Sequence, residues 1–275
     1  MEPPRKPLNE TRNLAVFCDF ENVALGVRDA KYEKFDIGRV LEKLLLKGSI
    51  VVKKAYCDWD RYKEFKSGMH SAAFELIEIP HRGQTGKNSA DIRMVVDALD
   101  LCYTKGHVDT FVIVSGDSDF SPLVSKLREN AKNVIGVGVK NSTSDLLISN
   151  CDEFIYYDDL VREDEAKRRA AKKRREARPA GAPKDVAPTD DKKQEAFDLV
   201  IETLQALAAE RGEDEKIWGS MVKQALKRRK PGFNESYYGF KAFSDLLEEA
   251  ESRKLVVLER DEKSGGYIIR PANGA

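Results

Sequence analysis

The stretch from Thr110 to Phe120 limits the possible fold more than any other part of the chain. Residues 110–114 (TFVIV) are β-branched or aromatic, the pattern of a short strand buried on both faces of a parallel sheet. The sequence SGDSDF follows, and then Ser121-Pro122, which predicts a helix start with Ser121 as N-cap. Such a strand end, acidic turn and helix start predict the carboxyl edge of an α/β sheet, where these folds place their chemistry. A plainer interpretation is equally open: Asp119 caps the helix and Asp117 shapes a turn.

Other segments repeat this plan of a strand followed by a helix. A second apolar run, residues 13–18 (NLAVFC), ends in Asp19-Phe20-Glu21-Asn22. Further strands are predicted over residues 49–56, 74–79, 133–139 and 153–157, and helices over 36–47, 61–70, 121–130 and 144–149. A helix after Asn88 is predicted to have one apolar face, made of Ile92, Val95, Val96, Leu99 and Tyr103. This alternation predicts an α/β domain over residues 13–160, with a parallel sheet covered by helices on both faces.

Composition restricts the class of protein. The 275 residues contain 47 basic and 47 acidic side chains, so any attraction for phosphate must come from local clusters rather than from net charge. The four cysteines are scattered without metal-ligand spacing, which indicates buried, reduced thiols. Residues 1–12 are polar and proline-rich, unlike a signal peptide, and no apolar run is long enough to span a bilayer. We therefore expect a soluble cytoplasmic protein with a disordered tail over residues 1–12.

The chain changes character after residue 160. Residues 161–190 carry the basic run KRRAAKKRR and then proline, glycine and alanine, which predicts an interdomain linker, partly helical and then flexible. The basic run is either solvated or a contact for RNA phosphates, and the solvated interpretation is favoured because charge runs are common in linkers. Within residues 191–275, helices are predicted over 195–210, 217–229 and 239–253, followed by a hairpin of 255–259 and 267–270. Three helices and a two-stranded wing predict a winged helix-turn-helix.

Acidic residues from three distant places in the sequence are predicted to meet at one sheet edge. They are Asp19, Glu21, Asp91, Asp117 and Asp119. Clustered carboxylates repel one another, so a folded protein tolerates them mainly when they share a cation. Oxygen ligands without matching histidines favour Mg²⁺ or Mn²⁺ over zinc. Such ions can activate water and neutralise charge on a phosphate, a combination that suits phosphodiester hydrolysis. Ordinary explanations remain open for single acids: Asp91 has capping-box spacing from Asn88, and Asp19 and Glu21 could be loop acids.

The motifs VFCDFEN (16–22) and SGDSDF (115–120) resemble those of the NYN family of PIN-like ribonucleases, and GKNSAD (86–91) is similar to the family's Lys-Gly-x-Asp segment. The resemblance covers residues 13–160 and implies a PIN-like Rossmannoid sheet, divalent-metal dependence and RNA cleavage. By position, it implies that Asp19, Asp91, Asp117 and Asp119 are catalytic metal-site acids, with Asn22 beside them. Asn88 stands where the family often has glycine. Asp97 also matches a family acid, but it lies about 120° around the helix from Asp91 and is ranked as peripheral.

Residues 239–247 (GFKAFSDLL) and the wing resemble a LOTUS (OST-HTH) domain, which implies binding of RNA or of a protein partner. The candidate RNA-binding residues of this domain are Lys223, Lys227, Arg228, Arg229 and Lys241. Tyr237 and Tyr238 are nearby and could stack on bases, whereas Phe240 and Phe243 are expected in the core.

The resulting hypothesis is a Mg²⁺- or Mn²⁺-dependent endoribonuclease that leaves a 5′-phosphate and a 3′-hydroxyl. Arg82 and Lys87, in a loop before the Asn88 helix, are predicted to hold the RNA backbone, and Asn22 to orient water or a ribose hydroxyl. One rival is a non-catalytic RNA-binding adaptor on the same scaffold. A second is a phosphatase of the haloacid-dehalogenase type, which Glu21 and Val23 fit poorly. The oligomeric state is left open, and no membrane partner is expected.

Overall fold

The computed structural model describes residues 12–79, 88–176, 188–212, 215–261 and 265–272. They fall into two compact units, one within residues 1–175 and one within 176–275.

The first unit is built on a six-stranded parallel sheet in the order β3-β2-β1-β4-β5-β6. The strands are β1 (Arg12–Asp19), β2 (Gly48–Cys57), β3 (Glu75–Glu78), β4 (Thr110–Val114), β5 (Asn133–Gly138) and β6 (Glu153–Tyr156). The two central strands are the continuous apolar runs of the sequence, and every residue of β4 is buried. Such strands need cover on both faces, which the helices provide.

The helices divide between the two faces of the sheet. They are α1 (Phe20–Asp29), α2 (Ile37–Lys47), α3 (Lys63–Ser71), α4 (Ser89–Thr104), α5 (Ser121–Glu129), α6 (Asp145–Asn150) and α7 (Tyr157–Glu176). Along β1, alternate residues enter different cores: Leu14, Val16 and Cys18 pack with α1, α2, α3 and α7, while Ala15 and Phe17 pack with α4, α5 and α6. The predicted α/β architecture, a parallel sheet flanked by helices, is therefore confirmed.

Three details of the sequence prediction were wrong. Helix α1 was not predicted, because β1 runs into it without a loop: Asp19 is both the last residue of the strand and the N-cap of the helix. The N-cap of α5 is Phe120, and Ser121 lies inside the helix. In α4 the buried residues are Met94, Ala98 and Cys102.

The outer side of α4 carries the large apolar residues that were predicted to form its packing face. Ile92, Val96 and Tyr103 are 63%, 55% and 64% exposed, whereas Val95 and Leu99 are only partly buried. Aromatic side chains of the sheet, among them Phe17 and Phe111, already fill the space beneath the helix. Small residues such as Ala98 therefore fit against the sheet better than large ones.

The second unit contains three helices and a two-stranded antiparallel sheet. Its elements are α8 (Pro188–Arg211), α9 (Gly219–Arg229), α10 (Phe243–Ser252), β7 (Val256–Arg260) and β8 (Tyr267–Pro271). Trp218 forms an antiparallel bridge to Ile268, which ties the start of α9 to the hairpin. Phe240 and Phe243 are buried, as predicted.

The segment between the units is helical on both sides of a gap in the described residues. Helix α7 extends through the basic run to Glu176, and α8 begins at Pro188. Residues 1–11, predicted as a tail, and 177–187 lie outside the described residues. Where the structure describes the chain, none of its helices combines the length and the apolar character needed to cross a bilayer.

The packing of α4 predicts that two substitutions on this helix lower the free energy of unfolding by very different amounts. Met94→Ala should lower the free energy of unfolding by about 2–5 kcal/mol, because it leaves a cavity under the helix. Ile92→Ala should change it by less than about 0.5 kcal/mol, since that side chain is mostly solvated. Urea denaturation of both variants measures the difference. Equal losses would contradict the observed orientation of α4.

Candidate acidic site at the carboxyl edge of the sheet

The order of the strands places a topological switch point between β1 and β4. These neighbouring strands lead into helices on opposite faces: β1 continues into α1, which packs in one core, and β4 leads to α5 in the other. In open α/β sheets, ligands bind outside the carboxyl ends of the strands at such a switch point. Asp19 ends β1, and the SGDSDF turn follows β4.

A buried hydrogen-bond network joins the two strand ends. The Ser115 hydroxyl donates to Asp19 Oδ2 over 2.9 Å and accepts the backbone N–H of Asp117 over 3.2 Å. The Asn22 side-chain carbonyl accepts the N–H of Gly116 over 2.9 Å, while Asp19 Oδ1 accepts the N–H of Asn22 over 3.4 Å. The Asn22 side-chain oxygen thus holds the acidic turn.

The turn after β4 is packed too closely to admit a side chain at Gly116. A Cβ there would lie 2.4 Å from the backbone oxygen of Ser142, and the Ser144 N–H donates to the Gly116 carbonyl over 2.9 Å. These contacts hold the turn from the side of the segment after β5. The position of the acids that follow is therefore set by the backbone of the segment after β5 on one side and by the side chains of Asn22 and Ser115 on the other.

Asp117 and Asp119 follow within this turn. Asp117 Oδ1 accepts the N–H of Asp119 over 2.9 Å and thereby caps a short 3-10 helix, Ser118–Phe120. Asp117 is half-buried and Asp119 is exposed. Because Phe120 occupies the N-cap of α5, Asp119 does not cap that helix. The plainer interpretation therefore accounts for part of the role of Asp117 but not for Asp119.

Asp91 lies in the first turn of α4 and brings a carboxylate from a third element. Asn88 makes no side-chain cap hydrogen bond, so the structure lacks the bond expected from the Asn88 side chain in a capping box. Burial, and then repulsion from Asp117, Asp119 and Glu21, raise the pKa of Asp91 to about 6. The repulsion shows that carboxylates from α4, α1 and the β4–α5 turn lie near one another.

Asp19 is the most deeply buried of these acids, at 7% exposure. Burial, and then the negative charges of Asp91 and Asp117, raise its pKa to about 7, against hydrogen bonds from Ser115 and Asn22 that lower it. The structure thus brings Asp19, Asp91 and Asp117 into one electrostatic cluster, with Asp119 and Glu21 interacting through Asp91. We call these five residues the acidic cluster.

The donor set of the acidic cluster fits a hydrated Mg²⁺ or Mn²⁺ ion. All five side chains offer carboxylate oxygens, the ligands that these hard cations prefer. Burial and the neighbouring carboxylates raise the pKa of both Asp19 and Asp91, and a bound cation would offset both effects. In the described ranges, no three Asp, Glu, His or Cys side chains are grouped so that they could hold a metal ion by themselves. Mg²⁺ usually retains several waters and needs only one or two carboxylates, so binding through water matches this spacing.

Asp97 belongs to a different network, between α4 and β2. It accepts hydrogen bonds from Tyr56 Oη over 2.9 Å and Arg93 Nε over 3.0 Å, and Lys54 Nζ lies 3.3 Å away. Burial raises the pKa of Asp97, but these three partners outweigh it and hold the pKa below its usual value. Asp97 is thus neutralised by the protein itself, which agrees with its peripheral ranking.

The predicted RNA-binding residues have different surroundings. Arg82 and Lys87 lie outside the described residues. Lys227 and Lys241 are exposed, and burial lowers the pKa of the partly buried Arg228, as does the nearby Arg211.

Two of the predicted RNA-binding residues form ion pairs within the second unit. Arg229 pairs with Glu202 at 2.7 Å, and its side chain is only 10% exposed. Lys223 pairs with Glu235 at 2.8 Å. Both side chains therefore stabilise the unit, and they are less available to a ligand than Lys227 and Lys241.

Two features of the site were absent from the predicted site residues. Ser115 connects Asp19 to the acidic turn, and the signal for it was its place at the end of a buried strand within SGDSDF. Arg61 Nη1 lies 3.4 Å from Glu21 Oε1, and no sequence motif pointed to that pair.

The raised pKa values predict how stability depends on pH and on metal. Between the unfolded value of 3.8 and the folded values of about 6 and 7, the folded protein binds more protons, so stability falls as pH rises through this range. In EDTA, the melting temperature of wild type should decrease from pH 5 to pH 8 more steeply than that of Asp91→Asn. At pH 8, Mg²⁺ should raise the wild-type Tm by about 2–4 °C and the Asp91→Asn Tm by less.

Asp100→Asn serves as the control for this measurement, because Asp100 is an exposed carboxylate elsewhere on α4. Its melting temperature should depend on pH and respond to Mg²⁺ as that of wild type does. Identical pH slopes and Mg²⁺ responses in wild type and Asp91→Asn would contradict the electrostatic coupling of the cluster.

Comparison with known proteins places the first unit in a family. A family model described as "NYN domain" matches residues 13–158. The uncharacterized protein MJ0482 of Methanocaldococcus jannaschii is 27% identical over 197 residues, which cover 70% of this chain and 75% of that protein. The crystal structure of VPA0982, a protein of unknown function from Vibrio parahaemolyticus, shows 27% identity and a TM-score of 0.50, over 56% of this chain and 98% of that one. Because the family model spans more than half of the sequence, this chain belongs to the NYN domain family.

Proposed function

We propose that the protein is a metal-dependent endoribonuclease whose active site is the acidic cluster. Membership of the NYN family suggests a PIN-like nuclease, and hence a hydrolase that acts on RNA. The observation that carries the finer proposal is the convergence of Asp19, Asp91 and Asp117, from three separate elements, at the switch point of the sheet. Repulsion among these carboxylates costs stability unless a cation offsets it, and a cation at this position suits phosphate chemistry.

Each acid has a distinct part in this proposal. Asp19, fixed by the Ser115 hydroxyl and the Asn22 N–H, is the most rigidly held ligand. Asp117 is held by its bond to the N–H of Asp119, while Asp91 and Asp119 face the same cluster. When bound, Mg²⁺ or Mn²⁺ would activate water for in-line attack and offset the charge that builds on the phosphate. Asn22 acts indirectly, because it positions the turn that carries Asp117.

Replacing Asp117 tests the proposal directly. Asp117→Asn keeps an oxygen that can accept the N–H of Asp119, so the turn should survive while one negative charge is lost. We expect cleavage of a labelled single-stranded RNA in Mn²⁺ to fall at least about a hundredfold, equivalent to about 2.7 kcal/mol of transition-state stabilisation. An unchanged melting temperature would show that the loss is chemical.

Asp100→Asn is the matched control and should cleave as wild type. Wild-type cleavage by Asp117→Asn would refute the assignment of the site. RNA binding without turnover in any divalent metal would favour the non-catalytic adaptor. Turnover of p-nitrophenyl phosphate without RNA cleavage would favour the phosphatase alternative.

We further propose that the second unit is a winged helix-turn-helix of the LOTUS type that binds RNA and recruits substrate to the nuclease unit. Its three helices and hairpin support this assignment, as does the bridge from Trp218 to the hairpin. Tyr237 is 60% exposed, and Lys192 Nζ lies 4.5 Å from the centre of its ring. With the exposed Lys227 and Lys241, these residues combine an aromatic surface with positive charge, as RNA-binding surfaces do.

Substitutions in this unit should separate RNA affinity from stability. Tyr237→Ala and Lys241→Ala should each weaken RNA binding several-fold without a change in Tm, since both side chains are exposed. Arg229→Ala should lower the Tm, because it leaves Glu202 and Thr203 without their partner. Fluorescence anisotropy and thermal melting give the two readouts, with the exposed Lys216→Ala as control. Unchanged RNA affinity in Tyr237→Ala and Lys241→Ala would indicate a protein partner instead.

A further inference from the structure

A cleft with basic and aromatic walls lies beside α1, next to the acidic cluster. Its volume is 420 Å³, within the usual size range of small-ligand sites. Arg28, Arg61 and Lys34 contribute positive charge to its wall, and Tyr32 and Tyr62 contribute aromatic rings. Glu33 and Glu64 also line it, so the positive charge is concentrated at particular side chains rather than spread over the wall.

Contacts through Glu21 connect this cleft to the acidic cluster. The Glu21 carboxylate pairs with Arg61, which lines the cleft, at 3.4 Å. The charge of Glu21 also raises the pKa of Asp91 on one side and, after burial, that of Tyr62, to about 12, on the other. Glu21 therefore stands between the proposed catalytic acids and the walls of the cleft.

The two arginines of the cleft form ion pairs weak enough to be exchanged for pairs with a ligand. The Arg61–Glu21 pair is 54% and 36% exposed, and Arg28 pairs with its neighbour Asp29 while both are about 70% exposed. Ion pairs with such exposure contribute at most about 1 kcal/mol and exchange readily. A phosphate, which accepts two parallel hydrogen bonds from a guanidinium, is a stronger partner than the single contact that Glu21 provides.

The aromatic residues are held in place by the core. Tyr62 packs edge-on against Phe20, with ring centroids 5.5 Å apart, and against Phe65 at 6.4 Å. The Tyr32 hydroxyl donates to Asp158 over 3.0 Å. Rings fixed in this way lose little conformational freedom when they contact a base, and every base offers a face for stacking.

We propose that this cleft binds an unpaired nucleotide of single-stranded RNA, beside the phosphodiester that the acidic cluster cleaves. The base contacts Tyr62, and Arg61 leaves Glu21 to hold the adjoining phosphate. A duplex keeps its bases stacked and paired, so the cleft discriminates in favour of single strands. The proposal rests on the proposed function for the identity of the substrate, but it concerns residues outside the acidic cluster.

The test measures the binding of a short fluorescent single-stranded RNA by the full-length chain carrying Asp117→Asn, at constant Mg²⁺. Arg61→Ala and Tyr62→Ala should each weaken binding about tenfold. Arg61→Lys should restore part of the loss and Tyr62→Phe nearly all of it, because the ring is retained. The same RNA annealed to its complement should bind weakly and respond little to these substitutions.

Two matched controls lie at the opposite edge of the sheet. Arg12→Ala removes an exposed arginine at the start of β1, and Tyr103→Ala removes an exposed tyrosine at the end of α4. Both should bind as the parent does. Melting temperatures of all variants identify any loss of folding, and Arg61→Ala, which replaces a largely exposed side chain, keeps the proposal testable if Tyr62→Ala does not fold.

The same substitutions are then made in the otherwise wild-type chain, and RNA cleavage is measured. This measurement distinguishes the role of the cleft from the proposed nuclease activity. A higher KM with little change in kcat for Arg61→Ala and Tyr62→Ala would support the cleft. Cleavage and binding that match wild type would overturn the cleft and leave the nuclease intact. If wild type does not cleave RNA but the variants still lose RNA affinity, the RNA-binding role of the cleft is supported and the nuclease proposal is refuted. If wild type does not cleave RNA and the variants keep their RNA affinity, both proposals are refuted.

Discussion

The hydrogen bond from Ser115 to Asp19 is the contact on which the geometry of the site depends. It crosses from the end of β4 to the end of β1 inside a buried environment, and it involves a carboxylate, so it is stronger than an ordinary hydrogen bond. The same serine accepts the N–H of Asp117, and Asn22 accepts the N–H of Gly116. Through these bonds, the path of the acidic turn follows from the pairing of the two central strands.

The hydrogen bonds of this network oppose the electrostatic cost of burying the Asp19 carboxylate near other negative charges. Burial of Asp19 beside Asp91 and Asp117 favours its protonated form, while the bonds from Ser115 and Asn22 favour the ionised form. The balance leaves a carboxyl group that titrates near neutral pH, whereas Asp97 on the same helix as Asp91 is compensated by its own cations. Only the first arrangement has charge left for an external cation, which is why position in the fold distinguishes the acids better than residue type.

The parts of the fold that the sequence predicted are those in which one physical effect dominates. Runs such as TFVIV are buried on both faces, so burial alone identifies β4 and its neighbours. Helix α1 lacked a separating loop, and Gly26 lies within it, where a Cβ would come within 2.4 Å of Ser142 Oγ. The glycine is explained by a tertiary contact that the sequence does not display. The orientation of α4 likewise depends on the aromatic residues beneath it, which no helical periodicity can reveal.

The residues of the site likewise include some that the sequence predicted and some that it did not. Carboxylates at strand ends are visible in the sequence because a parallel sheet brings those ends together, and the spacing of the motifs indicated which acids would meet. The pairing of Arg61 with Glu21 depends on how the segment after β2 packs against α1, and no local pattern records it.

Electrostatics also constrains the order in which ligands can bind. RNA brings negative charge to an edge that already holds several carboxylates, and the chain as a whole has no net positive charge to draw it there. In the proposed nuclease, a cation would therefore have to occupy the acidic cluster before or together with the phosphate. Arg61 would assist only once released from Glu21, and a cation that attracts Glu21 toward the cluster would favour that release. Under this proposal, metal binding and RNA binding are coupled through one glutamate, and each strengthens the other by the same factor.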